Sequence, residues 1–322
     1  MHAAAKLQVK VLVLEEEGGA AEALKAFCEG ADLLPVKVQP EHLMAVLRSS
    51  IDLGALFLSE NYACQGLQGR RLAHELHRIR PELPIFLRCA EHIALSEADQ
   101  RVVRHAYRLE QLEDMAAVIQ VSLFSLVYPE PLVRGISELT QQALQGQFKG
   151  ITLLAEAPII VRDRLIYGEV YSLIPLEASW CRGYMMLQIE ERGLQRLQSH
   201  QLGEVEATHR DSIRAINNVF SETTNLIWGA FKNRFIACED ATLSKMTQVP
   251  IVINHPQRYI SFGSEDPQLC FRYHLWDNAL QQGEAIELHQ RFVFNLSWSP
   301  ELFRENQAAA DSMLASGELE LF

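Results

Sequence analysis

At 322 residues, 48% hydrophobic and 22% charged, the chain has the composition of a soluble globular protein, and its length suggests two domains. A formal net charge of −12 argues against nonspecific nucleic-acid binding, which rests on Lys and Arg neutralising phosphates, and favours a protein or small-molecule partner. The cysteines at 28, 64, 89, 181, 238 and 270 form no C-x-x-C pair and indicate neither a zinc site nor a disulfide framework. No apolar run reaches about 18 residues and no basic-then-apolar leader opens the chain, so the expectation is a cytoplasmic protein without a membrane partner.

Residues 7 to 125 alternate apolar runs with amphipathic stretches. Lys10 to Leu14 (KVLVL), Gly54 to Leu58 (GALFL) and Pro84 to Leu87 (PIFL) predict buried parallel strands, while Ala20 to Cys28, Leu43 to Ser49 and Leu72 to Ile79 have helical spacing. The alternation predicts a doubly wound α/β domain over residues 1–125. Ligands on such sheets sit beyond the carboxyl ends of the strands, which here present Glu15, Glu16, Ser59, Cys89 and Arg108.

In that arrangement the N-terminal part resembles the flavodoxin-like receiver domain of two-component response regulators, with every functional position changed. VLEEE at 13–17 stands where the family has an Asp pair, and Ser59 where it has the phosphoaccepting Asp. Cys89 replaces the hydroxyl residue, and Arg108-Leu109 replaces Lys-Pro. An acyl phosphate needs a carboxylate nucleophile, and Ser59 has no base beside it in this pattern. Glu60 is the one neighbouring carboxylate, and two long glutamates without a third carboxylate make a poor oxygen cage for a divalent cation. The resemblance therefore implies a pseudo-receiver that serves dimerisation or regulation, with no metal of its own.

Past Val118 to Val127 the strict alternation stops, YPEP at 128–131 marks a break, and a second domain is expected over 126–298. Helical spacing from Leu132 to Leu144 precedes extended stretches at Ile151 to Leu154, Leu165 to Ile174 and Tyr184 to Ile189. A short stretch at Gly193 to His200 and a long helix over Arg210 to Phe235 precede three more, at Val249 to Ile253, Leu269 to Trp276 and Ala285 to Phe294. Helix then three strands, twice over, predicts an α+β unit with an antiparallel sheet and helices on one face. Few charges protect the apolar positions of Ala285 to Phe294, which suggests an exposed edge suited to dimer formation.

The long helix carries two stripes. At about 100° per residue, Ile213, Ile216, Phe220, Ile227, Phe231 and Phe235 share one direction, and Asn218, Glu222, Asn225 and Gly229 point the opposite way. Glu222 and Asn225, at i and i+3, can act together on one partner. Gly229 leaves the next turn bare, and its place in a helix interior suggests that another backbone or side chain comes close. The same residues would also suit a solvated helix face.

Ser221-Glu222-Thr-Thr-Asn225-Leu-Ile-Trp-Gly229 resembles the E-x-x-N helix of the CheC, CheX and FliY chemotaxis phosphatases. Asn218 stands where that family has Asp or Ser, and Pro250 lies near the place of its downstream proline. Glu138-Leu-Thr-Gln141 does not complete a second motif, which points to the CheX branch. The resemblance implies a phosphatase acting on the aspartyl phosphate of a CheY-like response regulator, with Asn225 and Glu222 catalytic and Asn218, Gly229 and Pro250 touching the partner. It also implies a homodimer and no cofactor beyond the Mg bound by the partner receiver. The alternative is a signalling module that binds phosphorylated receivers without hydrolysing them.

Other candidates are weaker. His74 and His77 in HELH lie at i and i+3, whereas the metalloprotease motif needs i and i+4, so they are expected at the surface. Trp180, Trp276 and Trp298 sit in or beside strands, where large aromatics fill cores or dimer seams. The segment 299–322, with the tail from Pro300, mixes helix formers with acidic residues and suits either a docking helix or disorder.

Overall fold

The computed structural model describes residues 7–50, 52–90, 95–162, 164–202, 209–236, 249–256, 258, 260, 267–277 and 284–305, which form a mixed α/β structure on one large sheet. The three expected N-terminal strands are β1 (Gln8–Leu14), β3 (Leu53–Ser59) and β6 (Ile85–Arg88); β3 and β6 are buried at every residue, as apolar strands covered on both faces must be. Two further strands, β2 (Leu33–Lys37) and β7 (Val103–Tyr107), lack that signature because Pro35 interrupts one and Arg104 and His105 are exposed in the other. The order β2-β1-β3-β6-β7 is parallel throughout.

Alternating side chains of these strands feed two cores. Val11, Phe57 and Phe86 face α1 (Gly18–Gly30) and α5 (Met115–Leu123), through Leu24, Cys28, Met115 and Ile119. Leu12, Leu14, Leu56 and Leu58 face the other side, with Leu43 and Leu47 of α2 (Leu43–Ser49) and Leu72 and Leu76 of α3 (Gly69–Ile79). A two-stranded hairpin, β4 (Ala63–Cys64) with β5 (Leu67–Gln68), leads into α3, and Ser96 caps the short α4 (Glu97–Gln100).

The C-terminal part opens with α6 (Glu130–Gln147), β8 (Ile151–Ala155) and β9 (Ile159–Val161), then β10 (Val170–Glu177) and β11 (Cys181–Ile189). The helices α7 (Glu191–Leu202) and α8 (His209–Phe235) follow, and β12 (Ile251–Asn254), β13 (Gln268–Asp277) and β14 (Ile286–Trp298) complete it. Its strands run β12-β10-β11-β14-β13 with antiparallel neighbours, and β8 and β9 both pair with β13.

Four expectations need correction. There are four strands before α7 rather than three, because β9, three residues directly after Pro158, is too short to show a periodic signal. The stretch Leu165 to Ile174 is a strand only from Val170, since Gly168 takes a left-handed φ of 68° and turns the chain. The sheet is not purely antiparallel: β9 also pairs in parallel with β1, Gln8 opposite Ile159 and Val9 opposite Ile160, and so joins both parts into one twelve-stranded sheet. Finally, β14 is no edge. It lies between β11 and β13 with backbone partners on both sides, and among the described strands of this part it is β12 and β8 that pair on one side alone.

The junction is reinforced at several points. Arg162 N–H donates to the Leu53 carbonyl at 3.2 Å, and one hydrophobic cluster runs from α1 and α5 through α6 to α8. Trp180, fully buried, donates its indole N–H to the Phe235 carbonyl at 3.2 Å and packs against Phe231, Phe294, Trp298 and Phe303; Trp276 instead stacks on His274. The five described cysteines are buried and form no disulfide with one another, and no helix among the described residues is long and apolar enough to cross a membrane. Cys238 and the tail from 306 lie outside the described residues.

An ion triad also bridges the junction: Asp52, just before β3, accepts from Lys10 of β1 and, at 2.7 Å, from Nη2 of Arg272 on β13. Burial works to raise the Asp52 pKa, but hydrogen bonds and charge from Lys10 and Arg272 outweigh it and hold the carboxyl below its usual value. Its contribution is therefore present above the unfolded carboxyl pKa of about 4 and is lost as pH falls through the lower folded value. In urea titrations Asp52→Asn should cost about 1–3 kcal/mol at pH 7, and the gap to wild type should close as the pH drops below about 4; a gap independent of pH would show that the triad contributes no charge-dependent stability.

Candidate functional site

Helix α8 is fixed by its buried side. Ile216, Phe220, Ile227, Phe231 and Phe235 are each at most 4% exposed, which places the expected stripe in the core; the Ile213 side chain lies outside the described residues. Gly135 of α6 lets the two helices approach closely, since a Cβ there would sit 2.6 Å from the Phe235 ring. Between Glu222 and Asn225 the chain has two threonines, and both are buried. Thr223 Oγ1 donates to Gln147 Oε1 on α6 at 2.7 Å, and Thr224 Oγ1 lies 2.6 Å from Ser172 Oγ on β10.

The opposite face is open. Asn218, Glu222 and Asn225 are exposed, and no hydrogen bond or ion pair to a described residue engages them. A Cβ on Gly229 would meet nothing within 4 Å among the described residues, so none of them comes close and the turn after Asn225 is bare. Leu226, 45% exposed, adds an apolar surface beside Glu222 and Asn225. The face thus offers a carboxylate, a carboxamide and an approachable backbone, the means to hold a cationic group and to orient a water.

The remaining expected residues behave differently. Pro250 is buried at the entry to β12, which packs against α8, and is not on the open face. Glu138 accepts from Arg234 Nη1 at 2.8 Å, and Gln141 donates to the Ser137 carbonyl of its own helix, so these two do not form a second open pair. His74 is partly structural: its Nε2 lies 3.0 Å from Asp99 Oδ1, tying α3 to α4.

Beyond the ends of β1, β3 and β6 the pocket is filled by the chain itself. Arg88, the last residue of β6 and only 7% exposed, donates through Nε to Glu15 Oε2 at 2.5 Å, and through Nη2 to Glu17 Oε2 at 2.9 Å and Ser59 Oγ at 3.1 Å. Burial works against the guanidinium charge, but the two carboxylates more than offset it and raise the Arg88 pKa. Ser59 Oγ also accepts from Asn61 N at 3.3 Å. Glu15 and Ser59 are therefore brought together, but around a resident cation, and a divalent metal does not fit where a guanidinium already neutralises the carboxylates. Glu60 accepts from the Ala90 N–H at 2.5 Å. Cys89 is buried, and burial first, then Glu60, pushes its thiol up. Glu16 is exposed at a cavity of about 220 Å³ shared with Glu15 and Tyr62, and Arg108 is exposed, its N–H held by Gln111, outside the Arg88 cluster.

Sequence reasoning overlooked Arg88 and the two threonines. A charged residue closing the buried run IFLR was the available sign of the first; the second needed knowledge of partners on α6 and β10.

The seam between the two parts holds a cavity of about 420 Å³, lined by Arg48, Asp52, Tyr167, Arg272 and His289 among others. His289 is 1% exposed and stacks on Tyr167 at 4.3 Å; burial lowers its pKa to about 4, against the opposing pull of Glu287.

No protein-family model matches the sequence, and no curated protein matches it either. Solved structures similar to it include the chemotaxis protein CheX from Vibrio vulnificus, at 16% identity over 50% of this chain and 97% of that one, with a TM-score of 0.38. The CheX–CheY–BeF3–Mg complex from Borrelia burgdorferi is similar at 16% identity over 50% and 97%, with a TM-score of 0.36. A two-component response regulator from Clostridium difficile is similar at 16% identity over 36% and 97%, with a TM-score of 0.31.

Proposed function

We propose that the protein is a phosphatase for the aspartyl phosphate of a CheY-like response regulator, working through the open face of α8, with an N-terminal pseudo-receiver that takes no phosphate. The observation that carries this is the pairing of Glu222 and Asn225 on a face where no described residue engages them, on a helix whose other side is locked in the core. A solvated face accounts for polarity, but not for a bare glycine turn and an exposed leucine bordering that pair.

The chemistry asks little of the protein. A receiver phosphoaspartate is a reactive acyl phosphate with its own Mg bound, so the helix needs only to place a water in line and hold the geometry. Asn225 can accept a hydrogen bond from that water and donate another to the phosphoryl oxygen. Glu222 would pair with the lysine beside the phosphate and set the register of docking. Asn218 and Gly229 would border the partner, with Leu226 against its apolar surface. Pro250, being buried, would act through the placement of β12. Non-catalytic binding to phosphorylated receivers is the competing reading, favoured by Asn218 standing where the resembled family has Asp or Ser.

Phosphoaspartate decay and receiver binding test the assignment together. Asn225→Ala should slow decay by about 10²-fold with binding nearly unchanged. Glu222→Ala should weaken binding by about 1.5–3 kcal/mol, and Gly229→Leu should block docking while the helix stays folded. Decay at the wild-type rate with Asn225→Ala would leave the binding module as the surviving reading.

The pseudo-receiver is proposed to be inert because Arg88 occupies its acidic pocket. Acetyl phosphate should leave the full chain unlabelled, and Arg88→Ala, which strips a buried carboxylate of its partner, should lower stability by about 3 kcal/mol without creating an acceptor. Acid-labile labelling of the wild-type chain would overturn this.

A homodimer is also proposed, supported by β12, which has one partner strand among the described residues and is exposed at Ile251 (57%), as is Val249 (71%) just before it. Light scattering at micromolar concentration should give twice the chain mass, and Ile251→Lys should return it to a monomer; a wild-type monomer would refute pairing.

A further inference from the structure

We infer that Ser172 on β10 and Gln147 on α6 are positioning residues that set the roll of α8 through Thr224 and Thr223, and so aim Asn225 at its target. This rests on the proposed role of Asn225 and extends it to residues that touch no substrate.

The geometry is specific. At about 100° per residue, the direction midway between Thr223 and Thr224 is opposite the direction midway between Glu222 and Asn225. The pair that meets the partner and the pair that meets the core are therefore the two ends of one lever through the helix axis. Thr224 donates its hydroxyl to the Phe220 carbonyl at 2.8 Å, which leaves its oxygen to accept from Ser172 at 2.6 Å. Thr223 reaches the Val219 carbonyl at 2.8 Å and Gln147 at 2.7 Å, and Gln147 returns a bond from Nε2 to the Val219 carbonyl at 3.3 Å.

Each threonine hydroxyl already has a carbonyl one turn back in its own helix, which would satisfy it without outside help. For Thr224 the bond to Ser172 is therefore an additional constraint, whereas the single Thr223 proton lies between two acceptors, the Val219 carbonyl and Gln147 Oε1, and α6 is tied to α8 by that proton together with Gln147 Nε2 on the Val219 carbonyl. Thr224 and Ser172 are both fully buried, and Thr223 is 2% exposed. Threonine is also a poorer helix former than alanine or leucine, either of which would fill a core position. Apolar packing tolerates a few degrees of roll, whereas hydrogen bonds of this length resist it. A roll of about 10° moves a head group about 6 Å from the axis by about 1 Å, and a misplacement of that size can cost about 10²-fold in rate.

The test is phosphoaspartate decay by the full chain with Ser172→Ala, Gln147→Leu, Thr224→Val and Thr224→Ser, alone and combined with Asn225→Ala, alongside thermal midpoints. Ser172→Ala should lower kcat about tenfold with KM within twofold, Thr224→Val should do the same, and Thr224→Ser, which keeps the hydroxyl, should restore the rate. In an Asn225→Ala background Ser172→Ala should cause no further slowing, although any loss in thermal midpoint would persist. The proposal is overturned if Ser172→Ala and Gln147→Leu both turn over at the wild-type rate, or if Ser172→Ala slows the Asn225→Ala protein by the same factor as wild type. If Asn225→Ala alone keeps full activity, the proposed function fails and the positioning role falls with it; if only the Ser172 and Gln147 variants are silent, the function stands and the tether does not.

Discussion

Three residues, Ile159 to Val161, hold the molecule's two parts in one sheet. As β9 they pair in parallel with β1 and antiparallel with β13, so a strand order that would otherwise end at each side is continuous. Buried backbone groups need partners, and β9 supplies them to the lower end of β1 and to one end of β13 at once. The shared core, the Asp52 triad and the bond from Arg162 to Leu53 are all possible because that short strand brings their partners within reach.

The same join keeps the two polar centres apart. The Arg88 cluster lies beyond the far end of β1, about 20 Å along the strand from the β9 contact at roughly 3.3 Å per residue. Helix α8 packs on β10, five strand-to-strand steps from β1 in the sheet order, or about 24 Å at 4.8 Å per step. One centre is closed by an internal cation and the other is open, and they do not share a cleft. Any influence of the first on the second has to pass through the sheet and the common core.

Features with a local period were legible in the sequence. The stripe of α8 repeats over enough turns to separate a buried face from an open one, and the short runs KVLVL, GALFL and PIFL, alternating with helical stretches, matched covered strands. What escaped depends on partners far along the chain. Arg88 is meaningful only beside Glu15, 73 positions away, and Thr224 only beside Ser172, 52 positions away. The apolar pattern of Ala285 to Phe294 suggested an edge, but that pattern does not distinguish an uncovered strand from one flanked on both sides, as β14 is.

The join also orders events during synthesis. Of the two parallel partners of Val9, Leu33 is made soon after it but Ile160 only about 150 residues later, a delay of roughly ten to thirty seconds at ordinary translation rates. Until then the lower end of β1 is paired only on its β2 side, and the underside of α5, with Met115, Ile119 and Leu123, lacks part of its apolar cover. The first-made part can collapse early, since its own strands and helices are close in sequence, but it reaches its final form only when the later part arrives to close it. For that interval the apolar surface that the later part covers in the finished sheet stays open to water.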